Sequence, residues 1–169
     1  MAKNVGNFVY VYMGTGIGGG LFLSNQVYRG PFRNAAEIGH VSVAPDGPEC
    51  YCGNRGCLEA VACPAAMVAD THRLLAEGGC GALAAAYAQD PESVDHEAVC
   101  AAAAEGDPLA RSVVDKVAGH LSDVAVSVAN ILDVELMVLG GPALGPVGEI
   151  YREAMAEALA RRPIARRVH

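Results

Sequence analysis

Between Glu37 and Glu59 the chain reads Glu-Ile-Gly-His (37–40) and then, after a short connection, Cys-Tyr-Cys-Gly-Asn-Arg-Gly-Cys-Leu-Glu (50–59). No other feature constrains the fold as strongly, because His40, Cys50, Cys52 and Cys57 make up the donor set of a closed tetrahedral zinc site. Cysteines two residues apart do not readily close a disulfide on each other, yet a tight glycine-containing loop can offer both to one metal ion. Four protein donors leave no vacant coordination position, which points to a structural ion rather than a catalytic one. The competing reading is free or disulfide-bonded cysteines in a surface loop.

The rest of the composition agrees with a reducing, aqueous setting. The 169 residues are 52% hydrophobic, enough to bury a core in one domain or a large part of one. A formal net charge of −7 gives no basic footprint for nucleic acid. No apolar run approaches the roughly 20 residues that span a bilayer, and the start at Met1 lacks the pattern of a signal peptide, so the expected location is the cytoplasm. There, clustered cysteines are read as metal ligands first, and Cys63, Cys80 and Cys100 in alanine-rich stretches as core or helix-surface thiols.

Along the chain, Phe8–Met13 is β-branched and aromatic and predicts a buried strand. Glycine-rich residues 14–20 predict a turn, Leu21-Phe22-Leu23 the return strand of a hairpin, and Val27-Tyr28-Arg29 a third strand beyond a turn at Ser24-Asn25-Gln26. Apolar spacing predicts helix from Leu58 to Leu75, broken at Pro64, and a run of helices after Cys80 with Ser93 and Asp107 as caps, the last reaching about Leu132. Glu135–Leu139 predicts a short buried strand ending in Gly140-Gly141, and Val147–Arg161 an amphipathic helix. Hairpins followed by helices and a further strand make an α/β chain.

Several residues could carry chemistry. The turn Gly14-Thr15-Gly16 follows a strand, so its N–H groups and the Thr15 hydroxyl can cradle a phosphate, or the glycines can serve turn geometry alone. Glu37 precedes His40 by three residues and Glu59 follows Cys57 by two, so a bound metal would hold both carboxylates in place. A rigid carboxylate pair accepts hydrogen bonds from vicinal hydroxyls, the usual way to hold a sugar; the alternative is two surface or capping glutamates. His72, His96 and His120 read as surface or packed residues, His169 as the chain end, and Arg161, Arg162, Arg166 and Arg167 as a solvated helix end.

Glu-x-Gly-His followed by Cys-x-Cys-Gly-x-x-Gly-Cys-x-Glu resembles the signature of the ROK family of repressors and sugar kinases. Gly14–Gly20 upstream and Leu139-Gly140-Gly141 downstream stand in that family's order, so the resemblance covers nearly the whole chain. It implies a ribonuclease H-like fold of the actin and sugar-kinase type, with this chain as one partial domain over residues 1–169, the second half of the sugar-binding module. It also implies that Glu37, His40 and Glu59 contact a sugar or sugar phosphate while His40 gives its other ring nitrogen to zinc. In a kinase, Gly14, Thr15 and Gly16 would face ATP–Mg2+ phosphates and Gly140-Gly141 the adenosine. Homodimers are the expected assembly.

Two departures from the family pattern shape the expectation. The general-base Asn-Asp pair and the Asp-x-Gly-x-Thr phosphate loop of such kinases do not occur in this sequence, so no catalytic residue is assigned. Ala36 takes the place of a glycine before the sugar-facing glutamate. The expected function is therefore the zinc-stabilised, sugar-sensing part of a ROK-type transcriptional regulator, whose DNA contacts would lie in an absent N-terminal helix-turn-helix domain. The Gly-Cys-Leu-Glu-Ala-Val-Ala run is closer to the regulators. The rival is the C-terminal half of a cytoplasmic, glucokinase-like, ATP-dependent sugar kinase.

Overall fold

Alternation along Phe8–Met13 (β1) turns Val9, Val11 and Met13 into the core and leaves Tyr12 exposed, the period of a strand with one buried face. A computed structural model describes residues 5–161; Met1, Arg162, Arg166, Arg167 and His169 lie outside them. Arg161, the described member of the basic cluster, pairs with Glu157 at 2.5 Å on an exposed helix end.

The return strand β2 (Ile17–Leu23) starts earlier than expected. The turn occupies only Gly14-Thr15-Gly16, while Gly18, Gly19 and Gly20 are paired with Tyr12, Val11 and Tyr10 of β1. Gly19 has a packing reason to be glycine: a Cβ there would stand 2.5 Å from Ile38 Cδ1 and 2.8 Å from the Ala36 carbonyl. Its absence lets the loop that carries Glu37 lie directly on the sheet. Ser24 and Asn25, with φ of 52° and 63°, form the primed two-residue turn into β3 (Gln26–Tyr28).

The fourth strand, β4 (Leu136–Gly140), runs parallel to β1 and completes a sheet of order β3-β2-β1-β4. It is half-buried rather than buried, because it pairs on one side only and forms the sheet edge.

Helices α1 (Leu58–Ala62) and α2 (Pro64–Ala76) meet at the proline expected to start a helix. They are followed by α3 (Ala82–Gln89), α4 (His96–Ala104), the long α5 (Pro108–Leu132) and α6 (Gly148–Arg161). Asp107 caps α5 by accepting from Ala110 N at 2.9 Å, as expected, and also accepts from Ala82 N at the start of α3 at 2.5 Å. Ser93 is not a cap. It closes a 3-10 turn over Pro91–Ser93, and Asp95 caps α4 by accepting from Ala98 N, two residues later than the sequence signal suggested.

Val9 and Val11 of β1 converge with Ile38, Leu58 of α1, and Leu121, Val124 and Ala125 of α5 around one small internal gap. The residues just beside the metal-ligand candidates are thus core residues: Ile38 is 5% exposed and Leu58 fully buried. Burying a side chain of that size contributes about 1.5–3 kcal/mol, which ties the loop to the domain from both sides of the cysteines.

Of the remaining cysteines, Cys100 is buried, Cys63 half-buried and Cys80 exposed. His72 bonds the Val94 carbonyl through Nε2 at 2.9 Å. Burial holds His96 below its ordinary 6.5 against the pull of Asp95, and burial together with the Lys116 ammonium does the same for His120, opposed by Asp123. His120 Nε2 is buried without a hydrogen-bond partner.

Both imidazoles bind protons more weakly folded than unfolded, so their contribution is intact above pH 6.5 and is lost as pH falls from 6.5 through the lower folded values. The urea midpoint should therefore fall between pH 7 and pH 5.5. In His120→Leu the fall should be shallower; an identical pH slope in the variant would remove His120 from the account.

Candidate metal centre and adjoining polar site

Two short elements bring the four donors together. A 3-10 turn at Ile38–His40 presents His40, and residues 41–57 fold back so that Ser42 bridges Cys57 and Glu49 bridges Arg55. Inside this loop Cys50 N donates to the Asn54 carbonyl at 2.8 Å and Gly53 N to the Cys50 carbonyl at 2.9 Å. Gly53 and Gly56 take φ of 92° and 59°, which allows two reversals within seven residues. Arg55 braces the outside by donating to Gly47 O and to Glu49.

The donor atoms of His40, Cys50, Cys52 and Cys57 lie within 4.8 Å of one another. Cys52 and Cys57 Sγ are 3.6 Å apart, and Cys50 Sγ is 3.5 Å from His40 Nδ1. A tetrahedral zinc ion with bonds of about 2.3 Å to sulfur and 2.0 Å to nitrogen separates its ligands by roughly 3.5–3.8 Å, the spacing at which these two pairs already stand. All three cysteines are free thiols.

Their environments differ. Burial pushes the Cys57 thiol up to about 12, because an isolated thiolate there has no cation to offset its lost hydration. Cys52, on the exposed side, is held below the usual thiol range by the Asn54 N–H. A divalent cation at the centre would supply the charge that Cys57 lacks.

His40 faces two ways. With Nδ1 toward Cys50, its Nε2 lies 3.0 Å from the Tyr51 hydroxyl, and the two rings meet edge to face with centroids 5.0 Å apart. Glu59, in the first turn of α1, accepts from Ile17 N at 2.8 Å through Oε2. Partial desolvation and the Glu59 carboxylate, with smaller effects from Cys50 and Glu37, push the Tyr51 phenol up. The structure thus sets the Tyr51 hydroxyl against His40 and within electrostatic reach of Glu59 and Glu37, beside the four metal-ligand candidates.

Tyr51 is the residue that sequence reasoning missed. Nothing local marks it, because its contact with His40 follows from the fold of the loop.

The loop before the site carries strain. Ala36 adopts φ of 71° and Arg33 φ of 61°, a left-handed conformation that costs a non-glycine residue about 1–2 kcal/mol. A glycine at position 36 would hold this conformation without that cost.

The second candidate group is also assembled. Tyr12 of β1 pairs with Gly140 of β4, so Gly14–Gly16 and Gly140-Gly141 meet at the C-terminal ends of two parallel strands, the edge where open α/β sheets take ligands. Packing alone accounts for several of these glycines. A Cβ at Gly16 would stand 2.2 Å from Glu59 Oε2, one at Gly14 2.7 Å from Tyr12, and one at Gly141 2.1 Å from the Met13 carbonyl. Gly14 N is already bonded to Gly16 O at 2.9 Å, and Thr15 is the exposed residue of the turn.

Among the described residues no helix is long and apolar enough to cross a membrane. Comparison with known proteins gives a consistent picture. The ROK family model matches residues 1–166. The glucokinase of Thermotoga maritima is 37% identical over 147 residues, which cover 85% of this chain and 45% of that protein. A ROK family transcriptional regulator, a homologue of the E. coli MLC protein, superposes with a TM-score of 0.85 and 30% identity over 98% of this chain and 41% of its own. A ROK family glucokinase from Streptomyces griseus, solved with glucose and AMPPNP, gives 0.71 and 26% over 92% and 53%. The chain spans about half the length of the relatives it matches.

Proposed function

The chain belongs to the ROK family and has the actin and sugar-kinase type of α/β fold, and on that premise we propose that it is a zinc-stabilised sugar-binding unit, the effector-sensing part of a transcriptional regulator. His40, Cys50, Cys52 and Cys57 hold a structural zinc ion. Glu37, His40 and Glu59 hold the sugar. DNA contacts belong to a helix-turn-helix domain elsewhere in the protein, the assembly is a homodimer, and the location is the cytoplasm.

The observation that carries the sugar reading is the position of Glu59. Its carboxylate is fixed by the Ile17 N–H at 2.8 Å and lies near enough to the Tyr51 hydroxyl, the partner of His40 Nε2, to push that phenol up. A metal on Nδ1 leaves Nε2 as an N–H donor, so one acceptor and one donor face the same small volume. A sugar hydroxyl, which both donates and accepts, satisfies the two together.

D-Glucose, N-acetyl-D-glucosamine or D-xylose should stabilise the zinc-loaded chain against heat. At about 100 times its Kd a ligand adds ~2.7 kcal/mol, or roughly 5–10 °C for a domain of this size. Glu59→Gln should keep its zinc and bind the sugar about 10- to 100-fold more weakly, as expected for loss of a charge-assisted acceptor. Loss of zinc in this variant would assign Glu59 to the support of the metal, and no response to any sugar would sink the sensing role.

A second reading is favoured by the meeting of Gly14–Gly16 with Gly140-Gly141 at the C-terminal ends of β1 and β4. On this reading the chain is half of an ATP-dependent sugar kinase, with Thr15 and these turns toward the nucleotide. ATP–Mg2+ that raises the melting temperature only when sugar is present would favour the kinase, and sugar stabilisation indifferent to ATP the regulator.

A further inference from the structure

The Tyr51 ring is 84% exposed, yet its hydroxyl lies 3.0 Å from His40 Nε2, and the Glu59 carboxylate is near enough to push the phenol up. An exposed phenol gains nothing from these contacts in core packing. Its one further aromatic contact is edge to face with His40 itself. With a metal on Nδ1 the hydroxyl accepts from the His40 Nε2–H, the bond that the proposed sugar hydroxyl makes there. Two hydroxyls cannot fill that position at once.

We propose that Tyr51 is a built-in occupant of the sugar site, its hydroxyl standing where a sugar hydroxyl binds and leaving only when sugar displaces it. The inference rests on the sugar-binding reading of His40 and Glu59. Tyr51 follows Cys50, whose N–H donates to the Asn54 carbonyl and whose carbonyl accepts from Gly53 N, so release needs rotation of the side chain and no movement of the metal loop. The ring is already solvated, and swinging it out uncovers little apolar surface. Displacement then costs little more than the hydrogen bond to His40, which the sugar replaces.

Self-occupation lowers apparent affinity by the fraction of time the site is free. It also sets a threshold: a ligand must offer a hydroxyl able to serve both His40 and Glu59, and one that offers only an acceptor loses to the tyrosine. Tyr51 is thus a specificity residue that acts by competition.

The test is calorimetric titration of the zinc-loaded chain with D-glucose, N-acetyl-D-glucosamine and D-xylose, in the wild type, Tyr51→Phe and Tyr51→Ala. Both variants should bind the preferred sugar about three- to ten-fold more tightly, the range set by losing one competing hydrogen bond. In long-range proton–nitrogen spectra the His40 Nε2 signal should move in Tyr51→Phe without sugar, and zinc content should stay at the wild-type level.

Equal affinity in all three proteins overturns the competition and leaves the sugar site standing. Weaker binding in Tyr51→Phe also overturns it and makes the hydroxyl a direct sugar contact. Binding by the variants alone supports the inference. Absence of binding in every protein takes down the sugar reading and this inference with it.

Discussion

Cys57→Ser is expected to abolish binding of one zinc ion per chain and, with it, the cooperative unfolding transition of the domain. Cys57 is fully buried, and without a cation its thiol is pushed up to about 12. It stands at the head of α1, directly before Leu58, and the Val41 carbonyl accepts from Leu58 N at 2.9 Å. Losing the ion therefore releases both arms of the loop and the core residues attached to them. Zinc-dependent small domains gain an apparent ~10–16 kcal/mol from the metal, as much as the whole stability of an ordinary domain at about 5–15 kcal/mol.

A strong chelator should do the same to the wild type, while Cys63→Ser, outside the donor set, should keep its zinc and its transition. Metal analysis beside thermal melts followed by circular dichroism separates the cases. A wild type that melts at the same temperature with and without chelator would remove zinc from the stability of this fold.

The donor set was legible because ligand spacing is a local property. His40, Cys50, Cys52 and Cys57 lie within one short stretch, and a tight loop leaves few other ways to use them. β1, the break at Pro64, the Asp107 cap and the end of α5 at Leu132 were legible for the same reason: each is written within a few residues. Gly18–Gly20 misled because a glycine run is the usual mark of a turn, whereas here one of them answers to Ile38 and Ala36, about twenty residues away in sequence. Tyr51 was invisible in the same way. Its partner, His40, is set by the fold of the loop, and a lone tyrosine in a polar stretch carries no periodic signal.

Gly56→Ala is expected to cost about 3–5 kcal/mol and to lower zinc content, although Gly56 donates no atom to the metal. Its φ of 59° lies in the left-handed region, and an added Cβ would fall 1.6 Å from the Ala44 carbonyl oxygen. That neighbour is backbone, so it cannot rotate away as the end of a side chain would. Left-handed strain and forced overpacking each cost about 1–3 kcal/mol. Gly56 also joins the two sides of the loop: its N–H donates to Pro48 O at 2.8 Å, and its carbonyl accepts from Val43 N at 2.8 Å and Ala44 N at 3.1 Å. Moving this residue moves Cys57 away from Cys52. Gly53 is the control, because its φ of 92° is also positive yet an added Cβ would meet nothing within 4 Å. Gly53→Ala should therefore show backbone strain alone, about 1–2 kcal/mol, with zinc retained. If urea unfolding and metal analysis found the two alanine variants alike, the close approach of Ala44 to Gly56 would not be what brings Cys57 to the other ligands.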